Sequence, residues 1–490
     1  MNGAPRHEPT QSNETATPTP EVDLWVGDHV EIANKLTQDL TEEFSIAPVF
    51  DLGSLWGYEQ RFGVWVKLRR EELSQRVQAY SGKPVAGPKG PKPLRLKHSD
   101  VVGVILTAYE KLYTRDFFEN APAGIAFANG FLVAGVDGVK LLPHSPKNRA
   151  TMKLDFTYDP SAAAPRFQQF LRDIFRGDAD LDEKIALLQE HAGASLLGIA
   201  AKYQLAVVLF GPGGNGKSTY IDVITSVFPK EWRASIAPHA WGHEYNRSLL
   251  PGIRLNAVNE LPDRELMGSE MIKAIISGDE VQARVIREQP FTFRPIAGQL
   301  FATNDLPPVT DQSHGLWRRF ALISNDRMFK DSEMVRGLAE SIAQEEQAGI
   351  INWMLEGAQR LMRRGHYTIP ASSESIKAAW KRAADSVASF LDDDMLVIET
   401  TEDNGLTREQ LVEQFGYTQA SEAYTLYSIY CRGNGFKAVS SRKFSERLKA
   451  LGVDKQELET ANWYGIKSKP TPPPKQKKQE PEQKPAPLAN

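Results

Sequence analysis

Six consecutive apolar residues, Leu205 to Phe210, run straight into a glycine-rich stretch, and helical spacing follows until Pro229. A short unbroken apolar run bounded by turn residues predicts a strand buried on both faces, and the periodic stretch after it predicts a helix. The pattern recurs downstream. RLNAVNE (254–260), GQLFATN (298–304) and LWRRFALI (316–323) read as further apolar strands separated by helical segments. That alternation predicts an α/β domain with a largely parallel sheet over 201–345.

Upstream, PRFQQFLRDIFRG and LDEKIALLQEHAGASLLGI read as helices, with Phe167, Phe170, Leu171 and Ile174 at helical spacing and destined for a core. With a strand-like NGFLVAG they make 95–200 an expected helical domain ahead of the α/β core. Alternation in GVWVKL and a helical RREELSQRVQAY predict a small α+β region over 23–84, and VAGPKGPKP, without apolar period, reads as a linker over 85–94. Residues 346–385 read as helical and 386–467 as a small α+β unit. The polar lead 1–22 and the Pro/Lys-rich tail 468–490 are expected to be disordered, and the lead lacks the apolar stretch of a signal peptide.

Composition adds limits. A chain of 490 residues exceeds one ordinary core. Its 41% hydrophobic and 24% charged content suits a soluble globular protein, with no apolar run of membrane-spanning length. The single cysteine, Cys431, excludes an internal disulfide and fits a reducing compartment. A net charge of −4 gives no overall nucleic-acid footprint, so any DNA contact must come from local basic clusters.

The glycine stretch carries the chemistry. Gly211-Pro212-Gly213-Gly214-Asn215-Gly216-Lys217-Ser218-Thr219 satisfies G-x4-G-K-[ST] between a strand and a helix. Glycines let backbone N–H groups curl round phosphates, and the helix N-terminus adds a favourable dipole. Lys217 brings a cation to the β and γ oxygens and the Ser218 hydroxyl a ligand for Mg²⁺. Glu260 ends the second strand, where a carboxylate polarises water or holds Mg²⁺, and Asn304 ends the third, where an amide orients water. Arg318 and Arg319 open the last strand, as a solvated edge or as a finger reaching a neighbouring subunit's nucleotide. The guanine-reading N-K-x-D tetrapeptide is absent, which disfavours a GTPase.

With GPGGNGKST, RLNAVNELPD, SGDEVQARVIREQPFTFRP, LFATNDLPPVTD and LWRRF in that order, the block 211–323 resembles the superfamily 3 helicases, in the phage and plasmid primase-helicase branch related to poxvirus-type NTPases. The resemblance continues upstream through FANGFLVAG and PRFQQFLRDIF and downstream to the C-terminal unit. It implies an AAA+-like P-loop core with an upstream helical domain and a C-terminal winged-helix unit. It further implies a hexameric homo-oligomer that hydrolyses ATP with Mg²⁺ and translocates on single-stranded DNA. Carried over by position, Lys217 and Ser218 take the Walker A role, Glu260 the Walker B role and Asn304 the sensor role. Arg319 matches the trans-acting arginine finger better than Arg318. The segment 277–295 matches the motif of a channel hairpin, with Arg284 and Arg287 as its DNA-gripping cations. The family often has two carboxylates at the Walker B end, where this chain has Asn259 before a lone Glu260. The front of the chain is too short for the primase domain of many relatives, so helicase without primase activity is expected.

In the C-terminal unit SSRKFSERLKALG is a capped helix with Arg442, Lys443, Arg447 and Lys449 mostly off its apolar face, the first three being the expected DNA-binding residues of a unit that resembles a winged helix. Asp392-Asp393-Asp394 reads as a solvated turn, and His239 with His243 is not expected to hold a metal. Together these features predict a cytoplasmic replication helicase of a phage, prophage or plasmid, with an initiator or primase as a further partner. A loader that unwinds little, or a DNA-binding scaffold with weak ATPase activity, is the alternative.

Overall fold

Apolar runs with no polar alternation need cover on both faces, which a parallel sheet between helical layers supplies. In the computed structural model four such strands and a two-residue edge strand form one all-parallel sheet: β1 (Ala206–Phe210), β2 (Arg233–Ala234), β3 (Leu255–Val258), β4 (Gly298–Thr303) and β5 (Phe320–Ser324), in the order β2-β3-β4-β1-β5. Residues 24–469 are described except 25, 89, 120, 123, 263–268, 287–288, 308, 310, 312, 399–406, 408–409, 411–415, 435, 437 and 459–460. The lead over 1–22, the tail from 470 and Arg287 lie outside them. Alternate side chains enter two separate cores. Val207, Leu209, Leu300, Ala302 and Ile323 join one, while Ala206, Val208, Phe301, Phe320 and Leu322 join the other. This is the two-residue period of a strand expressed as two cores rather than as core and solvent.

Three helices frame the sheet: α1 (Leu181–Leu196), α2 (Lys217–Val227) and α3 (Leu338–Arg364). α1 and α3 cross closely because each offers a glycine. A Cβ on Gly193 would lie 1.9 Å from the Met354 carbonyl, and one on Gly357 would lie 2.3 Å from that of Gln189. Beside the crossing the fully buried Glu190 ion-pairs with Arg360 and Arg364 and accepts from Thr368 N. The shorter helix Pro165–Ile174 lacks a side-chain N-cap of its own. Glu346 of α3 supplies it, accepting from Arg166 N and Phe167 N at 2.9 Å each.

His191 of α1 is 1% exposed, and burial drives its pKa down to about 4. Since the unfolded chain binds that proton near pH 6.5, the neutral imidazole costs nothing above that value. Stability then falls as pH drops from 6.5 to about 4, by about 3 kcal/mol in all. Denaturant unfolding at pH 7 and 4.5 should therefore show a shallower acid loss for His191→Gln than for the wild type. Equal losses would contradict it.

Two sequence expectations change at the front of the chain. Residues 85–94 do not separate domains: Pro84–Val85 pairs with Lys92–Pro93, and helix His98–Leu112 beyond them closes the core of the first unit through Val101, Val104 and Ile105. Gly and Pro marked a tight connection there, not a boundary. The region over 95–200 is also less helical than expected, because strands Gly124–Phe127, Gly130–Gly135, Gly138–Leu142 and Lys153–Leu154 build a four-stranded sheet inside it.

Behind β5, helix Ala371–Ala383 packs through Trp380, whose ring meets Trp317 and Phe320. The last unit contains helices Ser386–Asp394, Ala420–Gly433 and Ser441–Ala450 with short antiparallel strands, among them Lys455–Leu458 and Ala461–Tyr464. Asp392, Asp393 and Asp394 are the last turn of the first of these helices, not a free turn, and Asp393 accepts from the Tyr430 hydroxyl. Among the described residues no helix is long and apolar enough to cross a membrane.

Candidate active site

The loop after β1 is shaped from below. Gly216 has φ +87°, and a Cβ on it would lie 2.5 Å from Ile174 of the helix Pro165–Ile174, so glycine is required on two counts. Asn215 is buried and its Nδ2 donates to the Asn325 carbonyl at 2.6 Å, tying the loop to the chain leaving β5. Phe329 N donates to the Gly214 carbonyl at 3.0 Å from the same segment.

Lys217 opens α2 and is 6% exposed. Its ammonium donates to Gly211 O at 2.6 Å, Pro212 O at 2.8 Å, Asn215 Oδ1 at 3.1 Å and Asn304 Oδ1 at 3.2 Å. Four oxygens share three N–H bonds, and burial lowers the pKa of the amine. The Asn304 contact spans from the helix after β1 to the end of β4. It brings two residues 87 apart in the chain into one site.

Around this cation Pro212, Gly213, Gly214, Ser218, Glu260 and Asn304 are exposed and Thr219 is half-buried. Glu260 and Asn304 follow β3 and β4, which pair in parallel, so both stand at the same edge of the sheet as the loop. At the end of β3, Asn259 Nδ2 donates to Asp222 Oδ1 of α2 at 3.1 Å, a pairing that sequence spacing did not suggest although Asp222 stands one helical turn after Ser218. The open loop and its oxygen donors have the character that a phosphate group with Mg²⁺ would need. A Cβ on Gly213 would meet nothing within 4 Å, and the surrounding donors are a hydroxyl and carboxylates, the hard oxygens Mg²⁺ prefers.

The two arginines before β5 diverge. Arg319 is 8% exposed, with Nε donating to Ser277 Oγ at 2.8 Å and Nη1 to the Gly315 carbonyl, and burial followed by the charge of Arg318 lowers its pKa. Arg318 is exposed, with Nη2 donating to Gln204 Oε1 at 3.0 Å. The side chain favoured by sequence position is thus folded into its own subunit, and its neighbour faces out.

Strands Val281–Ala283 and Phe291–Phe293 pair antiparallel as a hairpin between β3 and β4. Val285 and Ile286 at its turn are exposed, and half-buried Arg284 stands 3.8 Å from Glu244 Oε1. In the last unit Arg442 and Lys443 are exposed, Arg442 pairing with Glu446 at 2.9 Å. Arg447 is not available as expected. It pairs with buried Asp385, which caps helix Ser386–Asp394 through Val387 N and Ala388 N, so this cation holds two helices together.

Residues 102–176 match the D5 N-terminal-like family. This D5-like segment ends in the helix whose Ile174 lies under Gly216. Residues 209–319, from β1 through the paired arginines, match a family of unknown function, DUF5906. Among solved structures the chain is similar to the apo A form of the NrS-1 C-terminal region, at 13% identity and a TM-score of 0.44 over 92% of this chain and 100% of that one. A second apo structure of that region gives 13% and 0.44 over 88% and 98%.

Proposed function

We propose that this chain is an ATP-hydrolysing DNA motor of replication, a superfamily 3 type helicase with an AAA+-like core, working as a ring of identical subunits on single-stranded DNA. The observation that carries the reading is the hydrogen bond from Lys217 Nζ to Asn304 Oδ1. It joins Lys217 to Asn304, with the Glu260 carboxylate at the same sheet edge, which supports reading the first as the phosphate-binding cation and the second as the water-orienting amide. The strand order, with β4 inserted between β1 and β3, supports the AAA+-like assignment, and the D5-like segment just upstream supports the primase-helicase resemblance.

On this reading the loop N–H groups and Lys217 bind the β and γ phosphates, with phosphate oxygens replacing the carbonyls that hold the ammonium now. Mg²⁺ bound by the Ser218 hydroxyl would neutralise charge between the β and γ groups. Glu260 polarises a water for in-line attack on the γ phosphorus, and Asn304 orients it. The new P–O bond forms as the bond to the bridging oxygen breaks, leaving ADP and phosphate. Subunits arranged as a closed ring would point their hairpins, with Arg284, at a shared strand.

Single-stranded DNA should accelerate phosphate release by the wild type. Arg284→Ala with Arg287→Ala should reduce that increment tenfold or more. The salt dependence of binding should flatten as well, by about 0.7 in log–log slope for each phosphate that the variant no longer neutralises. Hydrolysis indifferent to single-stranded DNA in the wild type would overturn the motor reading.

A further inference from the structure

The sequence leaves one uncharged position where two carboxylates would serve the metal. Asn259 stands directly before Glu260, so of the one or two carboxylates usual for Mg²⁺ beside phosphates, β3 supplies one. The fold changes this inventory. Asn259 and Glu260 leave β3 at the edge that carries the phosphate loop. Asn259 is the one that turns toward α2, where its Nδ2 donates to Asp222 Oδ1 at 3.1 Å. Asp222 lies four residues after Ser218, so hydroxyl and carboxylate occupy one face of α2 with Cβ atoms about 5–6 Å apart. Both side chains belong to exposed residues at the mouth of the phosphate loop.

We infer that Asp222 is the missing second carboxylate: a positioning residue, carried by α2 rather than by β3, that acts on the Mg²⁺ of the bound nucleotide through the water shell of the metal. Asn259 is then the residue that aims it. An amide N–H at Oδ1 fixes the carboxylate plane and leaves Oδ2 to accept from a metal-bound water, the arrangement by which outer-shell carboxylates orient a hydrated cation. The inference rests on the phosphate-site reading of Lys217 and Ser218.

Nucleotide affinity measured with a fluorescent ATP analogue, first in EDTA and then across a Mg²⁺ titration, separates the possibilities without turnover. Mn²⁺ titration followed by electron paramagnetic resonance on the nucleotide complex gives a second readout. Asp222→Asn keeps size and hydrogen-bonding capacity while removing the charge. It should raise the Mg²⁺ midpoint about 10- to 100-fold, the usual loss for an outer-shell partner, and leave the EDTA affinity within about twofold. The exchange variant Asp222→Asn with Asn259→Asp returns one charge to the pair and should recover most of the midpoint, which a purely structural role does not explain. Asp222→Glu, which keeps the charge at a longer reach, should fall between. An unchanged midpoint in Asp222→Asn overturns the inference, as does an equal loss of affinity in EDTA and in Mg²⁺, which marks a structural tie only. A wild type that binds no nucleotide overturns the phosphate-site reading itself and the inference with it.

Discussion

Lys217→Ala should lower ATP turnover by about 10²- to 10³-fold, the loss that follows removal of one preorganised charge or donor aimed at a transition state. The expectation rests on where the ammonium sits. It is buried, deprived of water, and held by three loop oxygens and the Asn304 amide, so its position is set before any nucleotide arrives. A cation fixed in this way does not have to be reorganised as charge develops on the γ phosphoryl oxygens. Alanine leaves the loop carbonyls of Gly211 and Pro212 facing the incoming phosphates without a counter-charge, so nucleotide affinity should fall together with turnover. Arginine is not a conservative replacement, because a planar fork cannot enter a pocket shaped around a single point charge. Phosphate release and analogue binding, measured beside thermal unfolding, test it. Turnover within about threefold of the wild type, in a variant that unfolds normally, would remove Lys217 from the chemistry.

The strand, loop and helix over 205–227 were legible in the sequence because they are local. Strand, glycines, lysine and helix are contiguous, and each has its own signal in periodicity or residue type. The placement of Glu260 and Asn304 at one sheet edge was legible almost as well, since apolar strands that pair in parallel must deliver their last residues to one edge. Contacts made across the fold were not legible. Arg447 looked like one cation among four on a basic helix until Asp385, 62 residues away, claimed it. The alliance of Asp222 with Asn259 depends on how α2 lies against β3, which no spacing in the sequence records, although the step of four from Ser218 was there to be noticed. Gly and Pro in 85–94 misled for a related reason. They mark a change of direction, and whether the next helix folds back onto the same core is decided by Val101, Val104 and Ile105 finding partners in it.

The arginine pair gives the second large effect, and the different burial of its members favours Arg318 as the one to show it. The two side chains leave the turn between helix His314–Trp317 and β5 in different surroundings, one buried and one exposed. Arg319 turns inward. Its truncation strands Ser277 and the Gly315 carbonyl in a partly buried place and should cost about 1–3 kcal/mol of stability. Arg318 turns outward, with only the Gln204 side chain as a hydrogen-bond partner among the described residues, so under the proposed ring it is the member free to act as the finger. Arg318→Ala should therefore cut kcat of the assembled protein by about 10³-fold or more with little change in unfolding temperature, the magnitude of an arginine finger. Arg319→Ala should do the reverse. Subunit mixing gives the sharper test. Arg318→Ala subunits keep an intact phosphate loop, Lys217→Ala subunits keep an intact finger, and each is inactive alone. Equal mixing in a closed ring puts an intact loop beside an intact finger at roughly a quarter of the interfaces, and activity should return in that proportion. No recovery in a demonstrably mixed assembly, or full activity of Arg318→Ala, would show that Arg318 does not act across a subunit boundary.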